Sequence, residues 1–295
     1  MITIMGASGN TGRAVAEHLL EAGEKVRVLG RSAEKLAGFK AKGAEVMTGD
    51  ATDAGYLTRS FKGADAVYTL LPPNFGASDF RAYQDQLGEA IVQAIRDSGV
   101  KHVVFLSSLG ADLLSGTGPI AGLHAQEERL KKLSGVHVLS LRAGYFMENH
   151  FMSLGMIKHQ GMNGSAVAGD VPIAMVAARD ISEVAAKALR ARGFKGFSFH
   201  EILGPREVMM AEATKIIGKR VGKPGVEYVQ FPYEDSQKAM VGMGISESLA
   251  SLYVEMGRAF NERKVHSLQG RNAQTTTRTR LEDFAEVLAK AYEGA

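Results

Sequence analysis

The sequence predicts a doubly wound α/β fold, and three observations carry that prediction. An apolar N-terminal run leads straight into a glycine loop, strand-like and helix-like segments alternate through the first half, and the connections between them are short. Residues 1–5 (MITIM) form a continuous apolar run ended by glycine, which reads as a buried strand. A helix-like pattern follows at 12–22, a strand at 25–29, a helix at 33–41, a strand-like stretch at 45–48 and a helical one at 56–61. A strand at 66–71 precedes a long amphipathic helix at 80–98, and then come a strand at 102–107, a helix at 125–133 and a strand at 136–141. Strands that alternate with helices call for a parallel sheet covered on both faces. After about residue 145 the rhythm changes: 151–172 is rich in Met and Gly without strong periodicity, 180–191 is a clear helix, and 198–205 looks like one more strand. From 207 on the pattern is mostly helical except near 226–232. The expected organisation is a dinucleotide-binding region at 1–150 and a smaller mixed α/β lobe at 151–295, packed as one structural unit.

Composition narrows the chemistry. The 295 residues are 45% hydrophobic and 23% charged, enough for a large core. With no cysteine, disulfides, thiolate metal sites and thiol nucleophiles are excluded, and a reducing compartment is expected. No apolar run approaches the roughly 18 residues of a membrane span, and the strand at the start leaves no room for a signal peptide, so a cytoplasmic protein without membrane contact is expected. The net charge of +3 is spread along the chain, which argues against nucleic acid as a partner. No spacing of His, Asp or Glu suggests a metal site; "HEIL" at 200–203 lacks the second histidine of a zinc helix. The cations of "GKRVGK" at 218–223 suit a helix C-terminus.

The loop "GASGNTGRAV" at 6–15 carries the first functional signal. Gly6 permits a tight turn, Gly9 removes the side chain that would hold backbone away from a pyrophosphate, and Gly12 lets the helix pack closely on the strand. The helix N-terminus points free N–H groups at the anion. The loop therefore suits a dinucleotide in a Rossmann-type fold. An NAD site places a carboxylate at the end of the second strand for the ribose hydroxyls. Here "VRVLGRSAEK" has Gly30, Arg31 and Ser32 instead, and Arg31 can meet a 2′-phosphate with a bidentate contact to which Ser32 adds a hydroxyl. NADP(H) is the expected cofactor.

"GASGNTGRAV", "LGRSAEK", "GDATD" at 49–53, "VVFLSSLGAD" at 103–112 and "LRAGYFMENH" at 141–150 resemble the NmrA-like branch of the atypical short-chain dehydrogenase/reductases, and within it the bacterial NADPH:quinone oxidoreductases. The likeness continues through "AARDISEVAAKAL" at 177–189, "EILGP" at 201–205 and "TTTRTRLEDFAEVL" at 275–288. The resemblance implies that Ser8, Gly9, Asn10 and Thr11 lie over the pyrophosphate and Arg31 on the 2′-phosphate. It places Asp50 and Ala51 by the adenine, Leu71, Pro72 and Pro73 by the adenosine ribose, and Ser107 and Ser108 near the nicotinamide. Asp50 also reads as a turn or helix-cap carboxylate in "GDATD".

One departure bears on mechanism. Ordinary short-chain dehydrogenases carry Tyr-x-x-x-Lys after the fifth strand, and none of the eight tyrosines here has a lysine four residues on. "GLHAQEERL" offers His124 instead, with Glu127 and Glu128 after it. His124 is the candidate proton donor, a side chain that titrates near neutrality, though it also reads as a residue flanking its helix. The candidate acceptor pocket comprises Phe75, His124, Tyr145, Phe146 and Asn149, with the 74–80 loop and Met-rich 151–162; the aromatics read equally as core. Two functions stay open: hydride transfer from NADPH to a small acceptor such as a quinone, or a non-catalytic NADP(H) sensor acting through a regulatory protein partner. Asp180 is expected to cap the helix at 180–191.

Overall fold

The protein is described from a computed structural model, over residues 1–294. The first half runs β1 (Ile2–Ile4), α1 (Asn10–Glu21), β2 (Val26–Gly30), α2 (Ala33–Ala41), β3 (Glu45–Thr48), α3 (Ala54–Phe61), β4 (Ala66–Thr69), α4 (Phe80–Ser98), β5 (His102–Ser108), α5 (Ile120–Lys131) and β6 (His137–Ala143). The second half runs β7 (Tyr145–Phe146), a 3₁₀ helix (Met147–Ser153), α6 (Leu154–Gln160), β8 (Met162–Ser165), β9 (Pro172–Val176), α7 (Ala178–Ala191) and β10 (Phe197–Ile202). It ends with β11 (Glu207–Met209), α8 (Met210–Arg220), β12 (Glu227–Gln230), α9 (Tyr233–Gly242), α10 (Glu247–Asn261) and α11 (Leu281–Glu293).

Seven strands form one sheet in the order β10-β6-β5-β4-β1-β2-β3, every neighbouring pair parallel. Its inner strands are apolar on both faces because helices cover both, as a parallel sheet requires. One face packs Val15 and Leu19 of α1, Leu36 of α2 and Ile181, Ala185 and Leu189 of α7 against Ile2, Ile4 and Val104. The other packs Leu57 and Phe61 of α3, Leu87, Ile91 and Ile95 of α4 and Leu130 of α5 against Val67, Val103 and Phe105. A third core, including Ile157, Ile173, Ile217, Phe284 and Leu288, binds the later segments together around two small sheets, β11-β9-β7 and β12-β8.

Three expectations change. The helix read at 125–133 starts at Ile120, because Pro119 takes αR geometry (φ −59°) at its head, a position where proline costs nothing. The aperiodic stretch at 151–172 folds as a 3₁₀ turn, a short helix and an edge strand. Asp180 does not cap its helix: α7 begins two residues earlier, at Ala178, and Asp180 accepts from the Thr279 backbone N–H (3.0 Å) and hydroxyl (2.7 Å). The start of α7 is served instead by Glu148, whose two carboxylate oxygens accept from Ala178 N–H at 3.0 and 3.1 Å. Among the described residues no helix is long and apolar enough to cross a membrane, and no group of three or more His, Cys, Asp or Glu could hold a metal ion.

Candidate active site

Strand β1 sits between β4 and β2, so the order of the sheet reverses there and a crevice opens beyond the carboxyl ends of the strands. A cleft of about 890 Å³ occupies that position. Gly6, Ser8, Gly9, Asn10 and Thr11 line it from the glycine loop, Arg31 from the end of β2, Asp50 and Ala51 from the end of β3. Leu71, Pro72 and Phe75 follow β4, Ser107 and Ser108 close β5, and Phe146 and Asn149 come from beyond β6.

The glycines act as their positions require. Gly6 has φ +65°, a left-handed geometry that favours glycine. A Cβ on Gly12 would stand 2.4 Å from the Gly6 carbonyl oxygen and 2.7 Å from that of Met5, so α1 approaches the strand only without a side chain there. Gly12 itself lies behind the cleft lining. A Cβ on Gly9 would meet nothing nearer than the Gly6 oxygen at 3.4 Å, which leaves a cradle over the loop. Gly9 heads α1 with no side-chain cap, and the first amides of a helix lack intrahelical acceptors, so they are available to an anion. The loop thus fits a pyrophosphate.

Arg31 is exposed, lines the cleft and has no carboxylate partner among the described residues. The neighbouring carboxylate, Asp50, accepts from Thr52 N–H at 2.9 Å; that backbone bond holds its pKa below the usual carboxylate value, and the Arg31 charge adds to the effect. Asp50 thus makes a turn and also borders the cleft, while Asp53 caps α3 through Gly55 and Tyr56 N–H. Ser32 serves the backbone. Its hydroxyl accepts from Lys35 N–H (3.4 Å) as the cap of α2, and it does not line the cleft.

Behind Ser107 lies a buried charge network invisible to motif reading. The β5–β6 register sets Ser107 beside Arg142, and Ser140, two residues back, shares the Arg142 face. Glu127 of α5, fully buried, accepts from the Ser107 hydroxyl (2.7 Å), the Ser140 hydroxyl (2.7 Å) and Arg142 Nε (3.0 Å) and Nη2 (2.6 Å). Arg142 is buried too, and desolvation alone would lower its pKa, yet the pKa is raised, because the bonds it donates to Glu127 and the surrounding carboxylate charges outweigh that effect. With its proton committed to Glu127, Ser107 presents lone pairs to the cleft.

A second, largely apolar cavity of about 370 Å³ continues from the cleft, sharing Ser108, Leu123, Phe146, Asn149 and Tyr253 with it. Tyr145 lines it, together with Met256 and Phe260 of α10. Burial raises the phenol pKa of Tyr145 and of Tyr253, so both are neutral donors at physiological pH. His124 lines neither cavity. Its Nδ1 is 2.9 Å from the Ala111 carbonyl, in the loop after β5, and Leu123 takes the place on the wall of both cavities. Tyr253 was missed because it lies far down the chain on α10, which carries no motif.

A parallel seven-stranded sheet with a glycine loop at its switch point and an adjoining apolar cavity defines a dinucleotide-binding α/β protein of the Rossmann class. Residues 1–287 match the model of the NmrA-like family, and the chain belongs to that family. It is 29% identical to the NAD(P)H azoreductase of Xenophilus azovorans, over 87% of this chain and 86% of that one. It is 31% identical to the (4-alkanoyl-5-oxo-2,5-dihydrofuran-3-yl)methyl phosphate reductase of Streptomyces griseus, over 76% and 75% of the two chains. The fold matches the crystal structure of an Escherichia coli NADPH-dependent quinone oxidoreductase complexed with NADPH, with TM-score 0.81, 22% identity and coverage of 98% and 99%.

Proposed function

We propose that this protein is an NADPH-dependent reductase of small electron-poor acceptors, with quinones as the leading class. One observation carries the reading: the dinucleotide cleft opens into the apolar cavity through residues common to both, at the carboxyl end of β5. The relatives named above, an NAD(P)H azoreductase and a (4-alkanoyl-5-oxo-2,5-dihydrofuran-3-yl)methyl phosphate reductase, support the reaction class.

When bound, NADPH supplies the hydride. The chain's part is to hold and orient. The α1 amides and the 8–11 loop would take the pyrophosphate, Arg31 the 2′-phosphate, and Ser107, fixed by Glu127, the nicotinamide end. Apolar walls exclude water and align a flat acceptor, and orientation supplies most of the acceleration. A reduced quinone takes its proton readily, so Tyr253 or water suffices and no Tyr–Lys pair is needed.

The test is NADPH consumption by the purified protein against a panel of quinones, with NADH alongside and NADPH binding measured by calorimetry. Saturable turnover is expected. Tight binding without consumption would replace this reading with the sensor and its protein partner. Arg31→Asp is expected to raise KM for NADPH about 10- to 100-fold while leaving NADH nearly unchanged, on the scale of a lost charge-assisted bond; an unaltered preference would remove Arg31 from the 2′-phosphate.

A further inference from the structure

The outer end of the acceptor cavity is bordered by the charged Glu207 and Arg263 and by the His266 imidazole, in an otherwise largely apolar site. Glu207 is engaged by Arg271 at 3.5 Å. Glu262, next to Arg263 in sequence, is engaged by Lys264 at 2.5 Å. Arg263 is left exposed with no carboxylate partner among the described residues. His266 turns Nδ1 to the Lys264 carbonyl (3.0 Å), which leaves its other ring nitrogen unused.

The backbone of Arg263 adds an independent observation. It lies just past the end of α10 with φ +56°, a left-handed position normally given to glycine. Arg192, the other non-glycine residue with positive φ among those described, turns its guanidinium back onto the Leu189 carbonyl at 3.4 Å. Arg263 makes no such contact, so an arginine is held at a glycine-type position with its charge unspent at a cavity mouth.

We infer that this mouth is an anion subsite, and that the preferred acceptors are flat conjugated molecules bearing a sulfonate, carboxylate or phosphate. The ring system fills the apolar cavity and the anion meets Arg263, whose planar fork matches such groups. This inference rests on the reductase reading, and its test separates the two.

Wild type and Arg263→Gly are compared on 1,4-naphthoquinone and 1,4-naphthoquinone-2-sulfonate, with calorimetric binding of naphthalene-2-sulfonate in the presence of NADP⁺ as the second readout. Glycine suits the backbone at this position, so the variant keeps its fold. The expected result is a KM for the sulfonated quinone raised about tenfold with kcat within about twofold, an unchanged KM for the uncharged quinone, and naphthalene-2-sulfonate binding weakened by a similar factor, the size of one charge-assisted contact. Turnover of both quinones with no dependence on Arg263 in kinetics or binding would overturn the subsite and leave the reductase standing. Sulfonate binding that depends on Arg263, without turnover of either quinone, would keep the subsite and overturn the reductase. Absence of both turnover and Arg263-dependent binding would overturn both.

Discussion

At the scale of single residues, Glu127 shows how the site is held. A carboxylate out of water is tolerated when its lone pairs are filled, and here two hydroxyls and a guanidinium fill them. Glu127→Gln would leave the buried Arg142 with only the more distant Asp112 carboxylate at 3.9 Å as an ion-pair partner, and a loss of up to about 3–5 kcal/mol in urea unfolding is expected. The paired change Glu127→Leu with Arg142→Leu separates stability from function. Replacing both charges together is expected to cost much less, yet to raise KM for NADPH because Ser107 loses the acceptor that orients it. A double variant with normal NADPH kinetics would show that the network serves folding alone.

At the scale of elements, α10 and the loops it touches build the acceptor side. Ser246 N–H donates to the Phe75 carbonyl (2.8 Å), Phe80 N–H donates to the Ser248 hydroxyl (3.0 Å) at the head of α4, and Gly118 N–H donates to Glu255 (3.2 Å). Gly118 has φ +59°, and a Cβ there would stand 1.9 Å from the Leu252 carbonyl oxygen, so α10 can dock only on a glycine. Gly118→Ala is expected to push α10 outward, costing about 1–3 kcal/mol, the range for overpacking. The acceptor KM should rise while calorimetric NADPH affinity holds, because the glycine loop and Arg31 are untouched. Equal loss of both affinities would mean that cleft and cavity do not behave as separate halves.

At the scale of the whole molecule, a buried titratable group should be felt in stability. His150 is buried, its Nε2 has no hydrogen-bond partner, and desolvation lowers its pKa from 6.5 to about 4. A depressed pKa means that the unfolded chain takes up a proton before the folded one does. The stabilisation is therefore complete above pH 6.5 and is lost as pH falls towards 4, by about 3 kcal/mol in total. Unfolding free energy measured between pH 7 and pH 4 should show this slope, and His150→Phe, an apolar ring in an apolar site, should flatten it. A slope that persists in the variant would place the acid sensitivity elsewhere.

The doubly wound sheet, the glycine loop and the cation at Arg31 were legible in the sequence because each depends on local geometry, while Asp50, Leu71, Pro72 and Ser107, which line the cleft, were named through the family resemblance. An apolar run, a glycine at a turn and a cation at a strand end mean the same wherever the rest of the chain goes. Ser32 and His124 are less legible, since a hydroxyl or an imidazole near a site serves the backbone as readily as a ligand, and here each contacts a backbone group. Tyr253, Arg263 and the Glu127–Arg142 pair belong wholly to tertiary structure. Sequence alone determined that this chain folds into a nucleotide-binding sheet with a cradle for phosphates. What lies opposite that cradle, and which charges remain free to meet an acceptor, was decided by packing between segments more than a hundred residues apart, because burial and charge pairing are properties of what surrounds a side chain.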